Sequence, residues 1–323
     1  MKVNRKMTHG WETTTDEVLE GRDLAGQRVL ITGASAGLGA ETARALAAHG
    51  ANVVIAVRDL AKGERAAEPV RAGASADASI ELCELDLASL ASVRACADRL
   101  LAENKPLQVL IANAGVMASP QGTTADGFET QFGTNHLGHF VFVNRLIPLV
   151  VAGAPSRIVM LSSLGHRMSD VDLDDPGFER TAYDPWLAYG RAKTANVLFA
   201  VALDRRLRDR GVRACAVHPG GIQTELGRHL TPDTMRVLTE RYPRAASFTF
   251  KSVPQGAATS VWAAVVADAG EIGGRYCEDC GVAATTEDPL AMSGVRPHAL
   301  DPERAEALWA RSEELVSERF PLN

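Results

Sequence analysis

Thr32-Gly33-Ala34-Ser35-Ala36-Gly37-Leu38-Gly39 follows directly on the apolar run Arg28–Thr32 and leads into an Ala- and Leu-rich stretch, Gly39–His49. A strand, a glycine-rich turn and a helix in that order form a phosphate-binding unit. Gly33 permits the tight turn, Gly37 lets the backbone approach a pyrophosphate, and Gly39 lets helix and strand pack closely. The backbone N–H groups of Ser35, Ala36 and Leu38 then face the anion together with the helix N-terminus. The spacing is GxxxGxG rather than GxGxxG. No Lys-Ser/Thr pair follows the last glycine, which excludes a nucleoside-triphosphatase phosphate loop.

Outward from this turn, short β-branched runs alternate with longer helical patterns. The runs are Arg28–Thr32, Asn52–Val57, Ile80–Glu84, Val109–Asn113, Arg157–Ser162 and Val212–His218. Helical patterns lie at about Gly39–His49, Leu60–Arg71, Leu90–Glu103, Thr134–Val151 and Tyr189–Arg210. Such alternation predicts an α/β fold: one doubly wound parallel sheet (a Rossmann fold) with helices on both faces. Continuous apolar strands such as Val53–Val57 suit strands buried on both sides. Beyond His218 an irregular segment precedes a helix at about Gln255–Asp268, a short strand near Arg275–Tyr276 and a helix opened by Asp301-Pro302. No linker marks a boundary, so residues 25–323 are expected to form one domain, with residues 1–24 an extension outside the core.

The chain has 323 residues, 46% of them hydrophobic, enough for a large single core. With 34 basic against 40 acidic residues, no basic excess exists to neutralise a nucleic acid. The greasy segment Phe140–Val151 is broken by Asn144, Arg145 and Pro148 and is too short to span a bilayer, and it reads as core or as a subunit interface. No secretory signal is read in the first 24 residues, so a cytoplasmic location is expected. Of the five cysteines only Cys277 and Cys280 form a CxxC, without a second pair, so no metal site is expected.

The second strand ends Ala56-Val57-Arg58-Asp59. An acidic residue there would hold a ribose 2′-hydroxyl, whereas Arg58 would meet a 2′-phosphate. The pattern therefore favours NADP(H) over NAD(H), with Asp59 the alternative ribose ligand if the register is shifted. Asp86-Leu87 follows the third strand and can hold an adenine, and Asn113-Ala114-Gly115 ends the fourth at the mouth of the sheet. Tyr189 and Lys193 are one helical turn apart on one face. An ammonium beside a phenol favours the phenolate, and with an oxidised nicotinamide it would bring the tyrosine toward neutral pH for acid–base work. Ser162-Ser163 end the fifth strand, where a hydroxyl can stabilise charge on a substrate oxygen.

Thr32–Gly39, Asp86, Asn113-Ala114-Gly115, Asn135, Ser163, Tyr189, Lys193 and Pro219-Gly220 together resemble the short-chain dehydrogenase/reductase family, in family order over residues 24–280. The resemblance implies a tetrad of Ser163, Tyr189, Lys193 and Asn135. Tyr189 would be the acid/base, Ser163 the stabiliser of the substrate oxygen (Ser162 the fallback), Lys193 the ribose ligand that lowers the tyrosine pKa, and Asn135 the holder of a relay water. Pro219, Gly220 and Thr224 would flank the nicotinamide. Ala56–Asp59, Asn135–Phe140 and Ser162–His166 look like the retinol dehydrogenase and WW-domain oxidoreductase branch, which mostly prefers NADP(H), but no WW module fits the first 24 residues.

Substrate loops are expected at about 164–188, including Trp186, and at 221–253, where Leu226, Leu230, Met235, Leu238 and Phe248 suggest a lid over a lipophilic or aromatic alcohol or ketone. His136, His139 and His166 lie near the expected cleft, as pocket-lining or as structural residues. A homodimer or homotetramer is expected. Two other functions fit the fold: a non-catalytic NADP(H) sensor or scaffold, and an epimerase or dehydratase. The intact tyrosine and lysine favour the oxidoreductase.

Overall fold

A computed structural model describes residues 9–244, 249–288 and 290–321. Eight strands form one sheet in the order β3-β2-β1-β4-β5-β6-β7-β8. They are β1 Arg28–Thr32, β2 Asn52–Val57, β3 Ile80–Glu84, β4 Val109–Ala112, β5 Ser156–Leu161, β6 Val212–His218, β7 Tyr276–Glu278 and β8 Gly281–Val282. Only β8 runs antiparallel to its neighbour. The chain winds one way from β1 to β3, then crosses to β4 and winds the other way. The carboxyl ends of β1 and β4 therefore border the crevice where open α/β sheets bind ligands.

Ahead of β1 lies α1, Thr15–Leu19, which a box of Thr14 and Glu17 caps. Around the sheet follow α2 Gly37–Ala48, α3 Leu60–Ala72, α4 Leu90–Glu103, α5 Thr130–Phe132 and α6 Gly138–Ala152. The chain continues with α7 Pro185–Leu207, α8 Pro232–Arg241, α9 Val253–Val265, α10 Ala269–Ile272 and α11 Pro302–Val316. Several helix starts differ from the sequence reading, among them those of α7 and α9. Helix α7 begins one turn before Tyr189 because Asp184 accepts from the amides of Trp186 and Leu187, with Pro185 in the first turn. Helix α9 begins at Val253, under a capping box of Ser252 and Gln255.

Residues 15–24 also differ from the expected extension, since they pack on the domain. Helix α1 rests on α2 and α9 with Val18, Leu19 and Leu24 buried. Thr15 bonds Glu41, and Arg44 pairs with Asp16. The greasy segment at 140–151 is core rather than an open face. Phe140 meets Trp309 of α11 with ring centroids 5.2 Å apart and Phe320 at 5.5 Å, while Arg206 stacks on Trp309 at 4.1 Å. Part of the outer face of α7, and Phe140 of α6, is thus covered by the chain's own C-terminal segment.

Candidate active site

Gly33 adopts φ +69° with its α-carbon against Ala114: a Cβ would come within 2.8 Å of the Ala114 backbone. A Cβ on Gly39 would fall 2.6 Å from both the Asn113 amide nitrogen and the Gly33 carbonyl. Asn113 ties the two loops by donating to the Thr32 carbonyl at 2.8 Å. Helix α2 opens at Ala36 without a side-chain cap, so its first amides stay available to an anion. Ser35 and Leu38 are half-buried on the same turn, and Thr224 leans over Gly37.

Arg58 is exposed at the end of β2. Its neighbour Asp59 caps α3, accepting from the Lys62 amide at 2.9 Å. That bond gives the Asp59 carboxylate a structural role and leaves Arg58 to face solvent beside the turn. Asp86 accepts from the Ala88 amide, and Leu87 is buried. At the far side Gly220 adopts φ +96° with the stem of Lys251 packed on it, and Lys251 pairs with Asp279 at 2.6 Å.

Tyr189 and Lys193 are both 4% exposed. The lysine ammonium lies 5.6 Å from the phenol ring centroid and donates to the Leu161 carbonyl at 3.0 Å. Ser163 Oγ accepts from the Gly165 amide at 3.0 Å and lies beside the Tyr189 ring, a Cβ on Gly165 coming within 3.4 Å of that oxygen. Ser162 points elsewhere, donating to the Lys193 carbonyl at 2.8 Å. Gly165 must be a glycine here, because a Cβ would lie 2.7 Å from the Tyr189 ring. Burial pushes the phenol up to about 12, which the neighbouring Ser163 hydroxyl opposes, and pulls the lysine down to about 8. Without a further positive charge the pocket therefore disfavours the phenolate.

Asn135 sits in a single π-turn, Gly133–Leu137, that joins α5 to α6. The wider turn is a common device at functional sites. It aims the Asn135 amide at Val116, accepting from its N–H at 2.8 Å and donating to its carbonyl at 2.9 Å. The Asn135 carbonyl meets His139 Nδ1 at 3.0 Å. At Gly115 the groups converge: a Cβ would lie 3.0 Å from Asn135 Oδ1 and 3.6 Å from Lys193 Nζ.

The chain matches the short chain dehydrogenase family over residues 27–234. It is 39% identical to human retinol dehydrogenase 13 over 92% of this chain and 87% of that protein. It is equally identical to the human WW domain-containing oxidoreductase, over 99% of this chain and 75% of that one. The chain belongs to the short-chain dehydrogenase/reductase family. A crystal structure of a Mycobacterium paratuberculosis protein superposes with a TM-score of 0.71 at 37% identity, covering 94% of this chain and 98% of that one. As a family member the protein is an oxidoreductase of alcohol and carbonyl groups that binds a nicotinamide cofactor. The cradle fits such a group, with an uncapped helix start, close-packed glycines and an exposed arginine at the end of β2.

Around this family site the sequence did not show several contacts that the fold makes. Thr32 accepts from the Ala114 amide at 3.0 Å and bonds His139 Nε2 at 2.9 Å, so it spans both halves of the crevice. His136 is buried against Ser312, at 2.9 Å, and is structural. Lys62 reaches Glu225, and Trp186 donates to the Thr234 carbonyl at 2.9 Å, joining the start of α7 to the segment after β6. In the second loop Leu226, Leu230 and Leu238 are half-buried and Met235 is exposed, while Phe248 lies outside the described residues. Among the described residues no helix is long and apolar enough to cross a membrane.

Proposed function

We propose that this chain is an NADP(H)-dependent oxidoreductase that interconverts an alcohol and a ketone or aldehyde on a lipophilic or aromatic substrate. The observation that carries the proposal is the meeting of three groups in one dry pocket at the crevice: the Tyr189 phenol, the Ser163 hydroxyl and the Lys193 ammonium. The bound nicotinamide supplies or accepts the hydride. Tyr189 gives the substrate oxygen a proton or removes one. Ser163, with one lone pair engaged by the Gly165 amide, turns its own hydrogen toward that oxygen. Lys193 holds the ribose of the nicotinamide and adds positive charge beside the phenol. Arg58 takes the 2′-phosphate, since Asp59 is committed to capping α3. Asp86 and Leu87 border the adenine, Ala114 and Gly115 the ribose, and Pro219, Gly220 and Thr224 the nicotinamide. The half-buried leucines of the lid support a bulky apolar substrate.

Bringing the phenol from about 12 to neutral pH takes about 5 pKa units, or about 7 kcal/mol. Lys193, together with a cationic nicotinamide once bound, would supply it, because charges interact strongly where burial excludes water. The test is NADPH oxidation, followed by absorbance, on benzil, acetophenone and benzaldehyde against acetone. Turnover on the aromatic carbonyls should exceed that on acetone. Tyr189→Phe should lose at least a thousandfold in kcat while NADPH still binds. Activity within tenfold of wild type would remove the tyrosine from its role. Turnover confined to acetone would overturn the substrate class.

A further inference from the structure

We propose that His166 and His218 form a clamp on the Ser163–Leu164 peptide and are positioning residues for the Ser163 hydroxyl. This rests on the oxidoreductase reading above and adds to it two residues outside the tetrad. The last ladder bond of β5 runs from the Ser162 amide to the Val217 carbonyl, at 2.8 Å. Past that point the sheet no longer fixes the chain. The next peptide plane decides where Ser163 Oγ points, because Oγ is held through the Gly165 amide of the same turn.

Two imidazoles fix that plane from opposite ends. The Ser163 carbonyl meets His166 Nδ1 at 2.7 Å. A carbonyl only accepts, so His166 carries its proton on Nδ1. The Arg296 amide donates to His166 Nε2 at 3.2 Å, which requires that nitrogen to be bare. The Leu164 amide donates to His218 Nδ1 at 3.2 Å, and the Gly220 amide reaches the same atom at 3.4 Å. His218 therefore has a bare Nδ1 and carries its proton on Nε2. The clamp is made of two neutral rings of opposite tautomer, one donating to the peptide carbonyl and one accepting from its N–H. Burial holds both rings neutral.

The rings are also braced. Tyr276, fully buried on β7, lies with its ring centroid 4.8 Å from His166 and 6.5 Å from His218, nearly parallel to the latter. Through its contact with Gly220, His218 ties the serine turn to the turn after β6. A hydroxyl that must meet both phenol and substrate tolerates little drift, and about 1 Å of misplacement costs on the order of 100-fold in rate.

The experiment is a substitution set at His218 measured with NADPH and whichever aromatic carbonyl of the panel above is reduced fastest. His218→Leu removes the acceptor. His218→Asn returns an oxygen acceptor near the Nδ1 position. His218→Leu should lower kcat about 10- to 100-fold, with KM and the NADPH dissociation constant within about threefold of wild type. His218→Asn should recover most of that loss. In a Ser163→Ala background His218→Leu should cost less than threefold, because the serine it aims is gone.

A full multiplicative loss on top of Ser163→Ala overturns the clamp and leaves the serine's role standing. So does an Asn variant as poor as the Leu variant, or a loss confined to NADPH binding. Full activity in Ser163→Ala sinks the serine's role and the clamp with it, while the Tyr189→Phe result judges the oxidoreductase reading separately. Should His218→Leu fail to fold, His166→Leu and His166→Asn apply the same comparison from the donor side. There the asparagine amide restores the bond to the Ser163 carbonyl, and only recovery by asparagine supports the clamp.

Discussion

Acid should unfold this protein well above the range where carboxylates titrate. Four histidines are buried: His136, His139, His166 and His218. Burial pulls their pKa values down to about 3, 4, 3 and 3. Each folded value lies below the unfolded value of 6.5, so each histidine's contribution to stability is complete above that pH. It is lost as pH falls through 6.5, because the unfolded chain takes up protons that the native rings cannot accept. At pH 5 the unfolded state gains about 2 kcal/mol per histidine, hence about 8 kcal/mol for four. That is comparable with the whole stability of an ordinary domain, about 5–15 kcal/mol. The raised carboxyls of Glu129 and Glu278 act with the opposite sign, but they start from the carboxylate range and offset only the low-pH end. Urea unfolding at pH 7.5, 6.5, 5.5 and 5.0 measures the effect. The unfolding free energy should be near its plateau at pH 7.5, then fall below pH 7 at a slope approaching four protons, about 5 kcal/mol per pH unit. His136→Phe, placed among Phe132, Phe140 and Phe199, should reduce that slope by about one proton. A stability unchanged between pH 7.5 and 5.0 would refute the reasoning.

Two further outcomes test the cofactor cradle. Arg58→Ala should weaken NADPH binding about 10- to 100-fold, as expected for one charge-assisted contact, and leave NADH within about threefold by fluorescence titration. Equal losses would assign the 2′-phosphate to another residue. Gly39→Ala places a methyl 2.6 Å from the Gly33 carbonyl, so it should abolish detectable NADPH binding and lower the melting temperature, while Gly10→Ala, with nothing within 4 Å, should leave both unchanged. Wild-type binding in Gly39→Ala would contradict the close packing of turn and helix.

The first six strands were legible because each is a short apolar run and each crossover helix carries its own period, whereas the two-residue β8 offers no such run and was not read. Periodicity does not encode contacts between distant loops, and that is where reading failed. The capping box at Thr14 and Glu17 and the Asp184-Pro185 pair were readable cues to two helix starts, and both were overlooked. Asn135 could be named from its place in the family order. Its π-turn could not, because nothing in Gly133–Leu137 distinguishes it from ordinary helix. His218 carried a cue only in hindsight: a histidine directly before the Pro-Gly turn of a strand end. Its function depends on Leu164 and Gly220, and only the fold makes those neighbours.

Tyr189 and Lys193 were the most legible pair, and the structure changes what their closeness implies. Spacing alone suggests a lysine that depresses the tyrosine pKa. Burial raises the phenol to about 12 and lowers the lysine to about 8, so each charge is disfavoured alone. The two effects share one cause, and that cause also makes added charge effective. Taking water away weakens a lone ion and strengthens every interaction between ions. A phenolate next to the Lys193 ammonium and a cationic ring would be stabilised far more here than on the surface. On the proposed reading, the acidity of Tyr189 would therefore depend on the charge that a bound nicotinamide adds beside Lys193.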